Sequence, residues 1–170
     1  MSNVSLAIQN NSFLSLFSNT GLSNEAETLR ERYEDAVLHL LQSQSLGERL
    51  HKNFKSLEEV VTEASTLNWD GYGALPVNKL AQYKAEQFLR ALPLSIPNPE
   101  IGVDPDGEIS FEWYNGRSKV FSISVSDTGK LTYAGIFGIR KVNGVEYFED
   151  RIPRAIINNL QRLWREELNY

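Results

Sequence analysis

The sequence predicts an α+β fold in which an antiparallel sheet of four to five strands is packed on one face by amphipathic helices. Between about residues 100 and 149, apolar and polar residues alternate in short runs, which is typical of strands with one buried and one solvated face. On either side, apolar residues recur at three- and four-residue steps, as in amphipathic helices. These patterns predict a helical part over about 25–92 and a C-terminal helix over about 152–168.

Composition limits the classes of function that the chain can have. Its 170 residues, 41% of them hydrophobic, suit one ordinary domain, which we place at 25–170. The absence of cysteine excludes disulfides and thiolate chemistry. A net charge of −5 lacks the electrostatic attraction that dominates nucleic-acid binding, and no apolar run approaches the ~20 residues of a membrane span. We therefore expect a cytoplasmic protein without nucleic-acid or membrane partners.

Residues 1–24 form an N-terminal arm that carries no charged side chain. Polar residues at 9–12 interrupt its apolar residues, so we do not expect a signal peptide. The arm is either an edge strand of the sheet or a segment that a partner covers. Its candidate partner-binding residues are Phe13, Leu16 and Phe17.

The helical part divides into three predicted helices. The first opens near Ser23 and ends near Gly47, since glycine commonly follows the last turn of a helix. A short second helix follows the capping box of Ser56 and Glu59, and a third begins at Val77. The first helix is amphipathic, with an apolar face made of Leu29, Tyr33, Ala36, Val37, Leu40 and Leu41.

Turn signals divide the sheet region into strands. A tight turn is expected at 104–107, and Asn115 with Gly116 predicts a hairpin. A second Asn-Gly pair, Asn143 and Gly144, predicts another turn. The alternation predicts a buried face with Phe111, Trp113, Phe121 and Ile123, and a solvated face with Glu108, Glu112, Ser122 and Ser124.

The last helix, opened by Ile152 and Pro153, is locally basic. A solvated helix face accounts for its arginines, and a patch for an acidic protein partner is the alternative. The candidates for that patch are Arg154, Arg162 and Arg165.

An acidic group near residue 104 suggests an alternative function, a small metal-dependent hydrolase. The carboxylates concerned are those of Asp104, Asp106, Glu108 and Glu112. Pro-Asp-Gly is also what a simple hairpin turn requires, and we favour that interpretation. The two histidines are twelve residues apart, which is not a zinc-binding spacing, and we expect no cofactor.

The least ordinary stretch is the loop Asn68–Pro76, which reads N-W-D-G-Y-G-A-L-P. Its aromatic residues either dock into the core or form a recognition surface, and the Asp70 carboxylate can cap the local turn. We favour a structural loop and retain Trp69, Asp70 and Tyr72 as candidate partner-binding residues.

This loop resembles the signature of a group of small uncharacterised bacterial and mobile-element proteins. In that group the loop is followed by an amphipathic helix that ends at a Leu-Pro pair. A predicted strand comes next, which begins with the sequence Asp-Gly-Glu-Ile and ends in tryptophan. The counterparts here are Leu92-Pro93, residues 106–109 and Trp113, so that the resemblance covers about residues 68–160. It implies a bacterial or phage setting and no particular chemistry.

Together these observations lead us to expect a non-enzymatic protein-protein interaction module that neutralises or scaffolds a partner. Antitoxins, immunity proteins and anti-defence inhibitors are of this type. We expect a protein partner and include a second copy of the chain among the candidates. The sparse chemistry-bearing residues, the apolar arm and the acidic balance of charge motivate this hypothesis.

Overall fold

The computed structural model describes residues 24–165, and it confirms the α+β class. These residues form helices α1 (Asn24–Glu63), α2 (Lys79–Ala91) and α3 (Arg154–Trp164). The strands are β1 (Glu100–Val103), β2 (Ile109–Tyr114), β3 (Lys119–Val125), β4 (Lys130–Phe137) and β5 (Arg140–Tyr147). The chain divides into two compact units, Met1–Gln44 and Ser45–Tyr170, and α1 belongs partly to each. Among the helices of residues 24–165, none combines the length and apolar character needed to cross a membrane.

The described part of the first unit is the N-terminal half of α1, and its apolar face is open to solvent. The side chains of Leu29, Tyr33, Leu40 and Leu41 are 66%, 64%, 60% and 55% exposed. On the polar side, the Nε of Arg30 lies 3.7 Å from an Oε1 of Glu34 in an i,i+4 ion pair. An amphipathic face is ordinarily covered by the core that it stabilises, so its exposure here needs a separate explanation.

Helix α1 is continuous where the sequence predicted two helices. It runs for 40 residues through Gly47, and Ser56 lies inside it and not at a helix start. Glycine inside a helix costs only about 1 kcal/mol relative to alanine, and no proline blocks the ladder between the two predicted segments. The predicted stop at Gly47 was therefore wrong, because a glycine permits a helix end without requiring one.

In the second unit, the five strands form an antiparallel sheet in the order β1-β2-β3-β4-β5. Phe111 lies opposite Ile123, and Trp113 lies opposite Phe121. All four side chains are buried, which confirms the predicted inner face. The side chains predicted for the other face are partly exposed: Glu108, Glu112, Ser122 and Ser124.

Helices cover the inner face of the sheet. Phe88 of α2 stacks on Phe111 with ring centroids 5.2 Å apart, and Leu160 of α3 is fully buried in the same cluster. Leu57 from the second-unit part of α1 belongs to it as well. Burial of such side chains contributes roughly 1.5–3 kcal/mol each, so this cluster is the main stabilising feature of the second unit.

In the C-terminal half one predicted turn was wrong, and the last helix begins two residues after its expected start. Asn143 and Gly144 lie inside β5, and the β4–β5 turn falls between Phe137 and Arg140, the pair that closes the hairpin. Gly144 provides space there, because a Cβ atom would lie 2.5 Å from the Tyr133 hydroxyl oxygen. In addition, α3 begins at Arg154, with Pro153 in the N-cap position that precedes the first helical residue.

Candidate functional site

The loop Asn68–Pro76 is held by its own polar side chains. The Asp70 Oδ1 accepts hydrogen bonds from the backbone N–H groups of Tyr72 at 2.8 Å and Ala74 at 3.1 Å. The Asn68 Oδ1 accepts one from the N–H of Gly73 at 2.7 Å. The Trp69 indole donates to the carbonyl oxygen of Leu75 at 3.0 Å, and its ring is half-buried. The local cap that the sequence suggested for Asp70 is confirmed.

Backbone hydrogen bonds join the end of this loop and the two residues after it to the β1–β2 turn and to the end of α1. The N–H of Leu75 donates to the carbonyl of Pro105, and that of Asn78 donates to the carbonyl of Gly107, at 2.8 and 3.1 Å. The N–H of Val77 donates to the carbonyl of Ala64, just beyond α1, at 3.0 Å. The loop therefore connects the end of α1, the β1–β2 turn and the start of α2.

Tyr72 is the residue that this braced loop presents to solvent. Its side chain is 95% exposed, and Leu67 and Leu75 nearby in the chain are exposed as well. The three candidates therefore separate by role: Trp69 and Asp70 hold the loop, whereas Tyr72 is displayed by it. An aromatic side chain on a pre-organised loop suits protein recognition, because little conformational entropy is lost on binding.

The Asp70 carboxyl gives the loop a pH dependence. Hydrogen bonds from the backbone N–H groups of Tyr72 and Ala74 hold its pKa below the ordinary value. Because the pKa of Asp70 is lower in the folded state than in the unfolded state, its ionised carboxylate stabilises the fold. This contribution is fully present well above the unfolded-state pKa of about 3.9 and is lost as the pH falls through the folded-state pKa. We expect the wild type to melt at a higher temperature than Asp70→Asn at pH 7, with a difference that stays constant down to about pH 5. The difference in melting temperature should shrink as the pH falls below about 4. Thermal melts that gave the same difference at pH 3 as at pH 7 would contradict this expectation.

The acidic residues near 104 form a hairpin turn. The carboxylate of Asp104 accepts a hydrogen bond from the Ser124 hydroxyl, and the Asp106 Oδ1 accepts one from the backbone N–H of Glu108. Burial, followed by the neighbouring Asp106, raises the pKa of Glu108. Within residues 24–165 no group of three or more His, Cys, Asp or Glu side chains could hold a metal ion. The turn interpretation accounts for these contacts, and nothing in them favours the hydrolase alternative.

The three candidate arginines near the C-terminus differ in their surroundings. The Arg162 guanidinium lies over the ring of Phe137, 4.4 Å from its centroid, and is half-buried. Arg154 and Arg165 are exposed, and the carbonyl oxygen of Arg165 accepts a hydrogen bond from the Lys119 ammonium. Arg162 therefore packs α3 onto the sheet, whereas Arg154 and Arg165 are open to solvent. The candidates Phe13, Leu16 and Phe17 lie outside the described residues.

The exposed apolar face of α1 is a surface that sequence reasoning did not select as a site. We call Leu29, Tyr33, Val37, Leu40 and Leu41 the α1 stripe. Periodicity identified these residues as one face of a helix, but it could not show whether another part of the chain covers them. Each of them except Val37 is more than half exposed.

Concave sites for small molecules are poorly developed in the described residues. One depression of about 410 Å³ is lined entirely by α1: Lys55, Glu58, Glu59, Thr62 and Glu63. Another, of about 290 Å³, lies between α2 and the residues after β5. Small-molecule sites are usually clefts lined mainly by apolar residues, with a few convergent polar groups, and a depression on one charged helix is not of this kind.

Comparison of the chain with protein-family models, with curated proteins and with solved structures found no match.

Proposed function

We propose that this protein is a non-enzymatic protein-protein interaction module that neutralises or scaffolds a partner protein. The α1 stripe is the observation that carries the proposal. Four large apolar side chains more than half exposed on one helical face present a hydrophobic surface of the kind that marks an interaction site. The resemblance of the Asn68–Pro76 loop to bacterial and mobile-element proteins implies a bacterial or phage setting, and antitoxins, immunity proteins and anti-defence inhibitors are modules of this kind.

The spacing of the stripe suits insertion into a groove or pairing with a helix. Leu29, Tyr33 and Leu40 follow one another at steps of four and seven residues, so they lie along one face of α1. Amphipathic helices are bound in this way, through apolar anchors spaced at three, four and seven residues. Each leucine side chain that a partner covers contributes roughly 1.5–3 kcal/mol.

The charge around the stripe defines the chemistry of the partner. Residues 24–35 carry five acidic and two basic side chains, a net charge of −3, whereas residues 36–46 carry only His39 as a titratable group. A partner surface with apolar residues bordered by lysine and arginine complements this distribution. Such complementarity accelerates association and rejects acidic competitors. The partner that we propose is therefore a basic protein with an apolar groove or helix.

The test compares two double variants on opposite faces of the same helix. Leu29→Ser with Leu40→Ser removes two anchors, and Glu31→Ser with Gln42→Ser changes exposed residues on the polar face. Tagged full-length chains would capture the partner from the lysate of the native host, and the purified partner would then be titrated against each variant. We expect the stripe variant to bind at least about tenfold more weakly, since loss of 1.4 kcal/mol already has that effect. The polar-face variant should bind within about threefold of the wild type.

Equal affinity of the wild type and the stripe variant for the purified partner would contradict the proposal. The proposal would also be contradicted if every protein that the wild type captures from the lysate were captured equally by the stripe variant. Circular dichroism of both variants would verify that α1 remains helical, because serine lowers helix propensity by a few tenths of a kcal/mol per substitution.

A further inference from the structure

The two edges of the sheet differ in how they are protected. Strand β1 has four residues, and prolines at 97, 99 and 105 flank it. Short edge strands and nearby prolines are common devices against edge-to-edge pairing. Strand β5, at the other edge, has eight residues and no proline, and none of its side chains is fully buried. Among residues 24–165, the sheet is therefore protected against further pairing at the β1 edge and unprotected at the β5 edge.

In the part of the chain that the structure describes, the outer edge of β5 pairs with no strand. Within residues 24–165, β4 is the only strand that pairs with β5, and β5 ends the sheet. In an antiparallel ladder every second residue of an edge strand directs its N–H and C=O groups away from its neighbour. Such an edge is a template for a further strand.

We propose that β5 pairs antiparallel with β5 of a second copy of this chain, which joins two five-stranded sheets into one of ten strands. The two-fold axis passes through Asn143, perpendicular to the sheet. This axis keeps the faces of the two sheets aligned, because residues of equal parity lie opposite one another. The surface differs from the α1 stripe, so the dimer and the proposed function can each be correct without the other.

Charge selects this register. With the axis at Asn143, Arg140 of each copy lies directly opposite Glu146 of the other, so that two ion pairs form across the junction. Lys141 lies opposite Val145, and both are exposed on the other face. A shift of two residues in either direction preserves the faces but places Arg140 opposite Gly144 or Phe148, and both ion pairs are lost. Opposite charges at directly paired positions stabilise a sheet, whereas like charges destabilise it.

The same alignment places apolar side chains at both ends of the junction. Tyr147, which is 66% exposed, comes level with Ile139 of the second copy, which is 100% exposed. Asn143 lies opposite its own counterpart, where the two side-chain amides can donate and accept in turn. No two side chains of like charge therefore lie opposite one another along the β5–β5 junction of this dimer.

A charge-swap experiment tests the pairing. Sedimentation equilibrium of the full chain would measure the dimer Kd for wild type, Arg140→Glu, Glu146→Arg and the double variant Arg140→Glu/Glu146→Arg. Each single change places like charges opposite one another twice, and we expect it to weaken the dimer at least about tenfold. The double variant restores opposite charges and should return the Kd to within about threefold of the wild type. Lys141→Glu is the matched control on the same strand and should change the Kd less than about threefold, since it lies opposite Val145.

A wild type that stays monomeric up to about 1 mM would overturn the proposal, as would a dimer that the single reversals leave intact. Failure of the double variant to recover the wild-type Kd would also overturn it.

Hydrogen exchange of the unmodified chain provides a second measurement that does not depend on variant folding. Amides of β5 should exchange more slowly at high protein concentration, while those of β1 should not change. Equal concentration dependence at both edges would contradict pairing through β5.

Discussion

Replacing Phe111 with alanine is expected to lower the free energy of unfolding of the second unit by about 3–5 kcal/mol. The ring is fully buried in the middle of β2 and stacks on Phe88 of α2. The ring centroid of Trp113 lies 6.3 Å from that of Phe111, and Ile123 on the neighbouring strand β3 is the residue paired with Phe111. Alanine would remove the contacts of all three neighbours and leave a cavity that the helix and the sheet cannot both close.

Urea denaturation followed by tryptophan fluorescence would measure this loss, with Tyr114→Ala as the matched control. Tyr114 lies on the same strand with its side chain half exposed on the opposite face, so its removal should cost less than about 1 kcal/mol. Similar losses for the two variants would show that the predicted inner face of β2 is not the one that packs on α2.

Strands β2 and β3 were predictable because each carries its pattern locally. In β2 and in residues 121–125 of β3 every second residue is apolar, and period-two alternation specifies both the strand and its buried face. The continuation of β5 through Asn143 and Gly144 was not predictable in the same way. An Asn-Gly pair favours a hairpin turn, but here the glycine makes room for the hydroxyl of Tyr133, its partner on the neighbouring strand β4, and this contact depends on the folded sheet.

The candidate site shows the same division between local and non-local information. Asp70 lies two residues from one of its hydrogen-bond donors and four from the other, so its capping role could be predicted from the sequence. The bond between Leu75 and Pro105 spans 30 residues, and no local pattern predicts it. Likewise, periodicity placed Leu29 and Tyr33 on one face of a helix, but only the structure shows that this face is exposed.

The contact between the Asn68–Pro76 loop and the β1–β2 turn gives Gly107 an unusual constraint. Its φ is +86°, a conformation that side-chain-bearing residues rarely adopt, and a Cβ atom would lie 2.6 Å from the carbonyl oxygen of Pro76. Its own carbonyl oxygen accepts the hydrogen bond from Asn78. A side chain at this position must therefore distort the turn, displace the loop, or do both.

Gly107→Ala should consequently destabilise the second unit by about 2–4 kcal/mol, of which the left-handed backbone accounts for about 1–2 kcal/mol. The remainder is the cost of separating the loop from the turn, including its backbone hydrogen bonds. Gly71→Ala separates the two contributions, because Gly71 has a φ of +78° and nothing within 4 Å of the added Cβ. It should cost only the backbone part, about 1–2 kcal/mol. If chemical denaturation gave equal losses for the two variants, the loop would not be braced against the turn, and Tyr72 would lack the rigid support that its proposed role in recognition requires.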